Sequence, residues 1–123
     1  MKILIVEDEE VLAKVIQEKL ERTGDDVVIA SDGERAIVAA RELVPDVIVL
    51  DLLLPKKSGF EVLKTLKADE ELKLVPVVVV SNLGEESDIK HAMELGATDY
   101  YVKAEHPINE IIEKIKEALI RSK

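Results

Sequence analysis

Four consecutive acids, Glu7 to Glu10, follow directly on the apolar run Ile3–Val6. Like charges side by side cost free energy unless a cation sits among them. Three further apolar runs also end on a polar side chain: DVIVLD (46–51) on Asp51, VPVVVVS (75–81) on Ser81 and TDYYVK (98–103) on Lys103. Carboxylates, a hydroxyl and an ammonium suit phosphoryl transfer once a hard divalent cation joins them. Mg2+ takes oxygen ligands, tolerates one or two protein carboxylates and accepts a phosphate oxygen. A carboxylate can then act as nucleophile and form an aspartyl-phosphate. The cation and Lys103 would spread the charge of the transferring group, and Ser81 would hydrogen-bond one of its oxygens. Glu9 and Glu10 fit instead in the first turn of the following helix, against the positive end of its dipole.

A regular alternation of elements places these residues. KILIV (2–6) is a short apolar run. EEVLAKVIQEKLERTG (9–24) sets Val11, Leu12, Val15, Ile16, Lys19 and Leu20 at helical spacing and stops at Gly24. DVVIA (26–30) predicts a second strand, and SDGERAIVAARELV (31–44) a helix that opens on the cap-type residues Ser31 and Asp32 and is closed by Pro45. After the run at 46–51 come a loop, LLLPKKSG (52–59), and a helix, FEVLKTLKAD (60–69). EESDIKHAMELGA (85–97) predicts a helix ended by Gly96, and INEIIEKIKEALIRSK (108–123) a long amphipathic one. Strand and helix thus repeat five times. Runs apolar on both sides of the pleat predict strands covered on both faces, hence a parallel sheet with helices on each side. The expected fold is α/β, flavodoxin-like and doubly wound, (βα)5, with strand order 2-1-3-4-5. Ligands in such sheets bind beyond the carboxyl ends of the strands where the order reverses, here between the first and third strands. Glu7, Asp8 and Asp51 therefore converge on one crevice, with Ser81 and Lys103 at neighbouring strand ends.

Composition narrows the function further. The chain has 123 residues, 47% hydrophobic but only 2% aromatic, so one compact domain over 1–123 with an aliphatic core is expected. The 17 basic and 26 acidic residues give a net charge of −9, which disfavours nucleic acid as a direct ligand and favours cationic partners. With no cysteine there is no disulfide framework and no thiolate metal site. No apolar run reaches the ~18 residues that would span a membrane. The N-terminus enters a strand without a signal-peptide core, so a cytoplasmic location is expected. No linker or second domain stands out. The first loop carries EDEE rather than the glycine-rich turn of a dinucleotide site. The same acids would repel a flavin phosphate, and E-D-E is not the D-x-D of an aspartate-based phosphatase.

The set of strand-end residues resembles that of the receiver domain of bacterial two-component response regulators. The loop DLLLPKKSG adds Pro55 four and Gly59 eight residues after Asp51, GATDY precedes VK, and Tyr100 stands three before Lys103. All are as in that family, and the resemblance spans essentially the whole chain. It implies a single-domain, chemotaxis-regulator-like phosphorelay switch with no output domain and no catalysis beyond its own phosphotransfer and slow autodephosphorylation. Asp51 would be the phosphoacceptor. Glu7 and Asp8 would bind Mg2+, Asp8 directly and Glu7 through water, with Asp51 and the backbone carbonyl of Leu53 as further ligands. Lys103 would pair with the phosphoryl group and Asp51. Ser81 would move toward a phosphoryl oxygen, and Tyr100 would rotate inward behind the displaced loop. The face formed by the fourth helix, fifth strand and fifth helix would then change its affinity for a downstream target protein. A sensor histidine kinase or histidine phosphotransfer protein would dock on the first helix, where Lys14, Gln17, Glu18 and Glu21 are expected to be exposed. The chain would be a monomer or a weak phosphorylation-dependent homodimer, with Lys90, Glu94, Asp99, Lys114 and Lys116 offering ion pairs.

Departures from the family pattern carry their own expectations. Ala104 follows Lys103 where the family usually has Pro. A cis bond there would cost ~2.5–4 kcal/mol, so a trans or a strained bond is expected. Leu53 and Leu83 occupy the positions that tune dephosphorylation, and two leucines predict a slow loss of the phosphoryl group. Asn82 replaces a small residue and narrows access to the acceptor. Blander readings remain beside these: Asp51 as a loop acid, Ser81 as a helix cap, Tyr100 as a static strand residue, Tyr101 as packing, His91 as solvated surface, and His106 with Pro107 as the start of the last helix. A docking module independent of phosphorylation, or an excised or engineered receiver, is the alternative function.

Overall fold

All five apolar runs join one parallel sheet in the order β2-β1-β3-β4-β5, in a computed structural model that describes residues 1–121. β1 is Lys2–Val6, β2 Asp26–Ala30, β3 Val47–Leu50, β4 Val77–Ser81 and β5 Asp99–Val102. The helices are α1 Glu10–Glu21, α2 Gly33–Leu43, α3 Gly59–Ala68, α4 Glu86–Glu94 and α5 Ile108–Arg121. The expected flavodoxin-like (βα)5 topology is the observed one.

The pleat explains the double winding. Alternate side chains of a strand point to opposite faces, so Leu4 and Val6 of β1 enter one layer and Ile3 and Ile5 the other. The first layer is closed by α2, α3 and α4 through residues such as Ala40, Leu63, Leu66 and Ala92. The second is closed by α1 and α5 through Ile16, Leu20, Ile111, Ile115 and Leu119, which recur every three or four residues and so form one apolar stripe per helix. Burying each Leu or Ile side chain contributes roughly 1.5–3 kcal/mol. The exception is β2. Val28 pairs with Leu4 yet is 41% exposed, because β2 is the edge of the sheet.

Helix ends follow local chemistry. Asp32 caps α2, accepting from the Arg35 N–H at 2.8 Å, and Ser58 caps α3, accepting from the Glu61 N–H at 3.3 Å. Several elements are shorter than their sequence patterns. α1 stops at Glu21, where the Thr23 hydroxyl donates to the Leu20 carbonyl and Gly24 takes a φ of 90°. α4 stops at Glu94, and Gly96, at φ 108°, turns the chain toward β5. β4 begins at Val77, after Pro76, which lacks the N–H that a central strand needs. β3 ends at Leu50, and β5 at Val102, so Asp51 and Lys103 both stand just beyond the sheet. The last residues of the expected fifth helix, 122 and 123, lie outside the described residues.

The β3–α3 loop comes back hard against its own strand. A Cβ on Gly59 would lie 2.4 Å from Leu52 Cα and 2.5 Å from the Asp51 carbonyl oxygen, both backbone atoms. Gly59→Ala is therefore expected to destabilise the fold by ~1–3 kcal/mol through overpacking. The urea midpoint of the variant against the wild-type chain measures it.

Candidate functional site

The strand register brings the polar strand ends to one edge. Val6 pairs with Leu50, Leu50 with Val79 and Val79 with Tyr100. Glu7 and Asp51 are each one residue past this line, Ser81 two and Lys103 three. The ladder continues just far enough to hold the acids: the Glu7 N–H donates to the Ala30 carbonyl and the Asp51 N–H to the Val6 carbonyl, both at 3.0 Å. Sheet geometry thus fixes both backbones at the reversal of strand order.

Lys103 closes the crevice. Its ammonium lies 2.6 Å from Glu7 Oε1, 2.8 Å from Asp51 Oδ2 and 3.6 Å from Glu9 Oε2. Glu7 and Asp51 are each only 4% exposed. The second oxygen of each carboxylate is also held, Asp51 Oδ1 by the Leu53 N–H at 3.0 Å and Glu7 Oε2 by the Glu9 N–H at 3.2 Å. Two buried acids face one ammonium, and the surplus charge has a consequence. Burial pushes the Glu7 carboxyl up to about 7; the Lys103 hydrogen bond opposes this and the Asp51 charge reinforces it. Burial also works against the Lys103 ammonium, but hydrogen bonds and charge from Asp51 and Glu7 outweigh it and hold the lysine above its ordinary value.

The same surplus suits a metal. One carboxylate oxygen from each of Glu7, Asp8 and Asp51 lies within 4.8 Å of the others. An all-oxygen set around excess negative charge matches a hard divalent cation such as Mg2+, not a softer metal. Asp8 is exposed, while Glu7 and Asp51 are buried, so the crevice is open on the Asp8 side. There a groove of about 360 Å³, lined by Glu7, Asp8, Glu10, Lys14, Ser31 and Arg35 among others, leads to the acids.

The remaining sequence candidates fall into place around this centre. Ser81 is fully buried, and its Oγ accepts from the Leu83 N–H at 3.4 Å. It does not cap α4, whose N-cap is Glu85. The Tyr100 hydroxyl donates to the Leu83 carbonyl, and burial, with the charges of Asp88 and Asp51, pushes its pKa up to about 12. Tyr101 packs into the α1/α5 layer. Leu53 is 51% exposed beside Asp51, whereas Leu83 packs against the other layer. No peptide bond among the described residues is cis, so the Lys103–Ala104 bond is trans. Asn82 is exposed. Pro55 ties the acceptor loop to α2, since its carbonyl accepts from the Gly33 N–H at 3.4 Å and the Lys57 N–H at 2.8 Å.

Two readings need correction, and a third, His91 as surface, gains a contact. Gln17 is not a free docking residue; it is half-buried and donates to the Val27 carbonyl at 3.3 Å. Asp99, Lys114 and Lys116 already have partners within the chain, in Arg121, Glu117 and Thr23. His91 is exposed but stacks on Phe60, ring centroids 4.6 Å apart. The sequence reading also missed two contacts. Glu9 reaches toward Lys103, which no spacing rule signals. His106 Nδ1 lies 2.8 Å from Glu110 Oε1, a contact that the four-residue spacing between them does signal.

Comparison with known proteins shows the family and the fold. A family model, the response regulator receiver domain, matches residues 3–116. The alkaline phosphatase synthesis transcriptional regulatory protein PhoP of Bacillus subtilis is 43% identical over 98% of this chain and 49% of its own length. The chain thus spans about half the length of this curated relative. Among solved structures, the receiver domain of the Francisella response regulator 1452 superposes with a TM-score of 0.89 at 30% identity, covering 99% of this chain and 98% of that one. The phosphorylated cyanobacterial phytochrome response regulator RcpA gives 0.82 at 38% identity, covering 94% and 89%.

The raised Glu7 carboxyl carries a pH signature. With a folded value of about 7 against an ordinary 4.5, the folded chain binds more protons than the unfolded one between these values, so stability falls as pH rises. This contribution is complete below 4.5 and gone above about 7. Urea midpoints of the metal-free chain are expected to decline across that window, and Glu7→Gln to flatten the decline. Mg2+, binding only the folded state, should raise the midpoint at the alkaline end.

Proposed function

The chain belongs to the response regulator receiver domain family, and from that premise we propose that it is a phosphorelay switch whose acceptor is Asp51. The observation that carries this reading is the Lys103 ammonium seated between the buried Glu7 and Asp51 carboxylates. In the proposed step an Asp51 oxygen attacks phosphorus, the bond from phosphorus to the donor breaks, and the donor leaves with the electron pair. Lys103 turns from Asp51 toward the incoming phosphoryl oxygens, and the Ser81 hydroxyl donates to one of them. Glu7, Asp8 and Asp51, with the Leu53 carbonyl, would hold Mg2+. When bound, the ion offsets the charge that the phosphoryl group adds to an already acidic crevice.

The donor is a sensor histidine kinase or a histidine phosphotransfer protein. The exposed face of α1, with Val11, Lys14, Glu18 and Glu21, would receive it, its first turn lying beside the crevice. The readout runs through the bond from Tyr100 to the Leu83 carbonyl, which joins β5 to the β4–α4 loop. Moving Ser81 pulls on the same loop, so the α4–β5–α5 face shifts in population and a partner protein reads the shift. The acidic surface argues that this face meets protein and not nucleic acid. A cytoplasmic location fits a kinase-fed switch, and among the described residues no helix is long and apolar enough to cross a membrane.

Intact-mass spectrometry after incubation with Mg2+ and a small acyl phosphate tests the reading. Gain of one phosphoryl group, lost in Asp51→Asn and without Mg2+, is the expected result. No gain would leave a docking module independent of phosphorylation. Leu53 is the exposed apolar side chain beside the acceptor and offers an attacking water no polar handle, so hydrolysis is expected to be slow. Leu53→Asn should accelerate it by about tenfold, equivalent to ~1.4 kcal/mol of barrier, as followed by the decay of the phosphorylated mass.

A further inference from the structure

Lys103 depends on a turn that its own backbone barely holds. The chain leaves β5 at Val102 and makes a single 3-10 turn over Lys103–Glu105. The hydrogen bond that closes this turn, from the His106 N–H to the Lys103 carbonyl, is 3.5 Å long, beyond the ordinary range. No proline lies within the turn, since Ala104 follows Lys103; Pro107 comes only after His106 and holds that residue extended. Ala104 and Glu105 are both exposed. What braces the turn is the side chain that follows it. The His106 ring lies edge-on to Tyr101, centroids 5.4 Å apart at 89°, an arrangement that favours the ring pair beyond simple burial. Its Nδ1 is 2.8 Å from Glu110 Oε1, and because a carboxylate only accepts, this nitrogen carries the proton and donates. Tyr101 belongs to β5 and is packed into the α1/α5 layer, and Glu110 lies in the first turn of α5. One ring therefore ties the strand before Lys103 to the helix after it.

We propose that His106 is a positioning residue for Lys103: braced between Tyr101 and the Glu110 carboxylate, it fixes the turn from which the ammonium reaches Glu7 and Asp51. The inference rests on the proposed acceptor role of Asp51 for its kinetic consequence, but not for its structural one. A contact far from the reacting atoms can still set the rate, because a shift of about 1 Å in a charge-stabilising group can cost on the order of 100-fold.

The test compares His106→Ala and Glu110→Ala with Arg121→Gln. Arg121 pairs with Asp99 at 2.8 Å and so joins α5 to β5 at the end away from Lys103. It controls for general loosening of the two elements. Two signals are read in the whole chain: the rate of phosphoryl uptake from a small acyl phosphate with Mg2+, and water exchange of the Lys103 ammonium by 15N NMR, assigned with Lys103→Arg. Loss of the brace is expected to slow uptake by about tenfold and to speed ammonium exchange in both alanine variants, with Arg121→Gln like wild type. Wild-type values in both alanine variants, or an equal loss in Arg121→Gln, would overturn the proposal. If the wild-type chain takes up no phosphoryl group, the acceptor reading fails and ammonium exchange alone decides. Faster exchange in Glu110→Ala then supports the brace, and unchanged exchange rejects it. Should His106→Ala not fold, Glu110→Ala carries the same comparison.

Discussion

The structure turns on one ammonium held between two buried carboxylates. Breaking a buried ion pair by removing one partner costs far more than the pair contributes, because a charge is left without compensation. Lys103 is the only cation within 4 Å of Glu7 or Asp51 among the described residues, so those two acids can stay buried only while the β5–α5 turn delivers it. The surrounding architecture serves that delivery. β1 and β3 are central, adjacent and in register up to Val6 and Leu50, which sets the two acids side by side. β5, at the far edge of the sheet, has to send its lysine back across Ser81 to reach them.

The sheet can hold these positions because it is covered on both faces. Each strand contributes alternate residues to two aliphatic layers, one under α2, α3 and α4 and the other under α1 and α5. A slip of one residue in any strand would exchange the layers for all its side chains, so register is strongly specified and the strand ends are fixed with it. The loops are tight where they must be. Gly59 and Gly33 approach the backbone of the acceptor loop more closely than any Cβ permits, and Pro55 ties that loop to α2. The β4–α4 side is more sparsely packed: α4 has Ala92 as its one buried residue, the Phe60–His91 stack lies on it, and the Tyr100 hydroxyl holds the loop before it at Leu83. Few buried contacts mean a low local cost of rearrangement, as the proposed switch would require.

Charge is distributed unevenly between the inside and the outside of the crevice. One ammonium faces two buried acids, and burial first, with the Asp51 charge adding to it, lifts the Glu7 carboxyl to about 7. In the proposed step a divalent cation and a phosphoryl group would bring opposite charges to the same place, each lowering the cost of the other. On the outer face several charged groups already pair within the chain, such as Asp99 with Arg121 and Lys14 with Glu10. Exposed pairs of this kind contribute little to stability, but they leave fewer groups free to bind a second copy.

The sequence alone determined the fold class, the strand order and the acids, hydroxyl and lysine of the crevice. It could do so because apolar period and polar strand ends are local properties, legible residue by residue. Element ends were less legible to the residue: Gly24 and Gly96 mark where α1 and α4 turn off, but each helix stops two or three residues earlier, and β4 starts only after Pro76. Tertiary structure alone decided how the charges pair. Glu9 looks like a helix-dipole residue until Lys103 arrives from 94 positions away, and Gln17 looks exposed until β2 presents the Val27 carbonyl. His106 looks like the start of a helix until Tyr101 lies across its ring. Such contacts join residues whose separation is set by the whole sheet, and no local pattern encodes a distance between two strand ends.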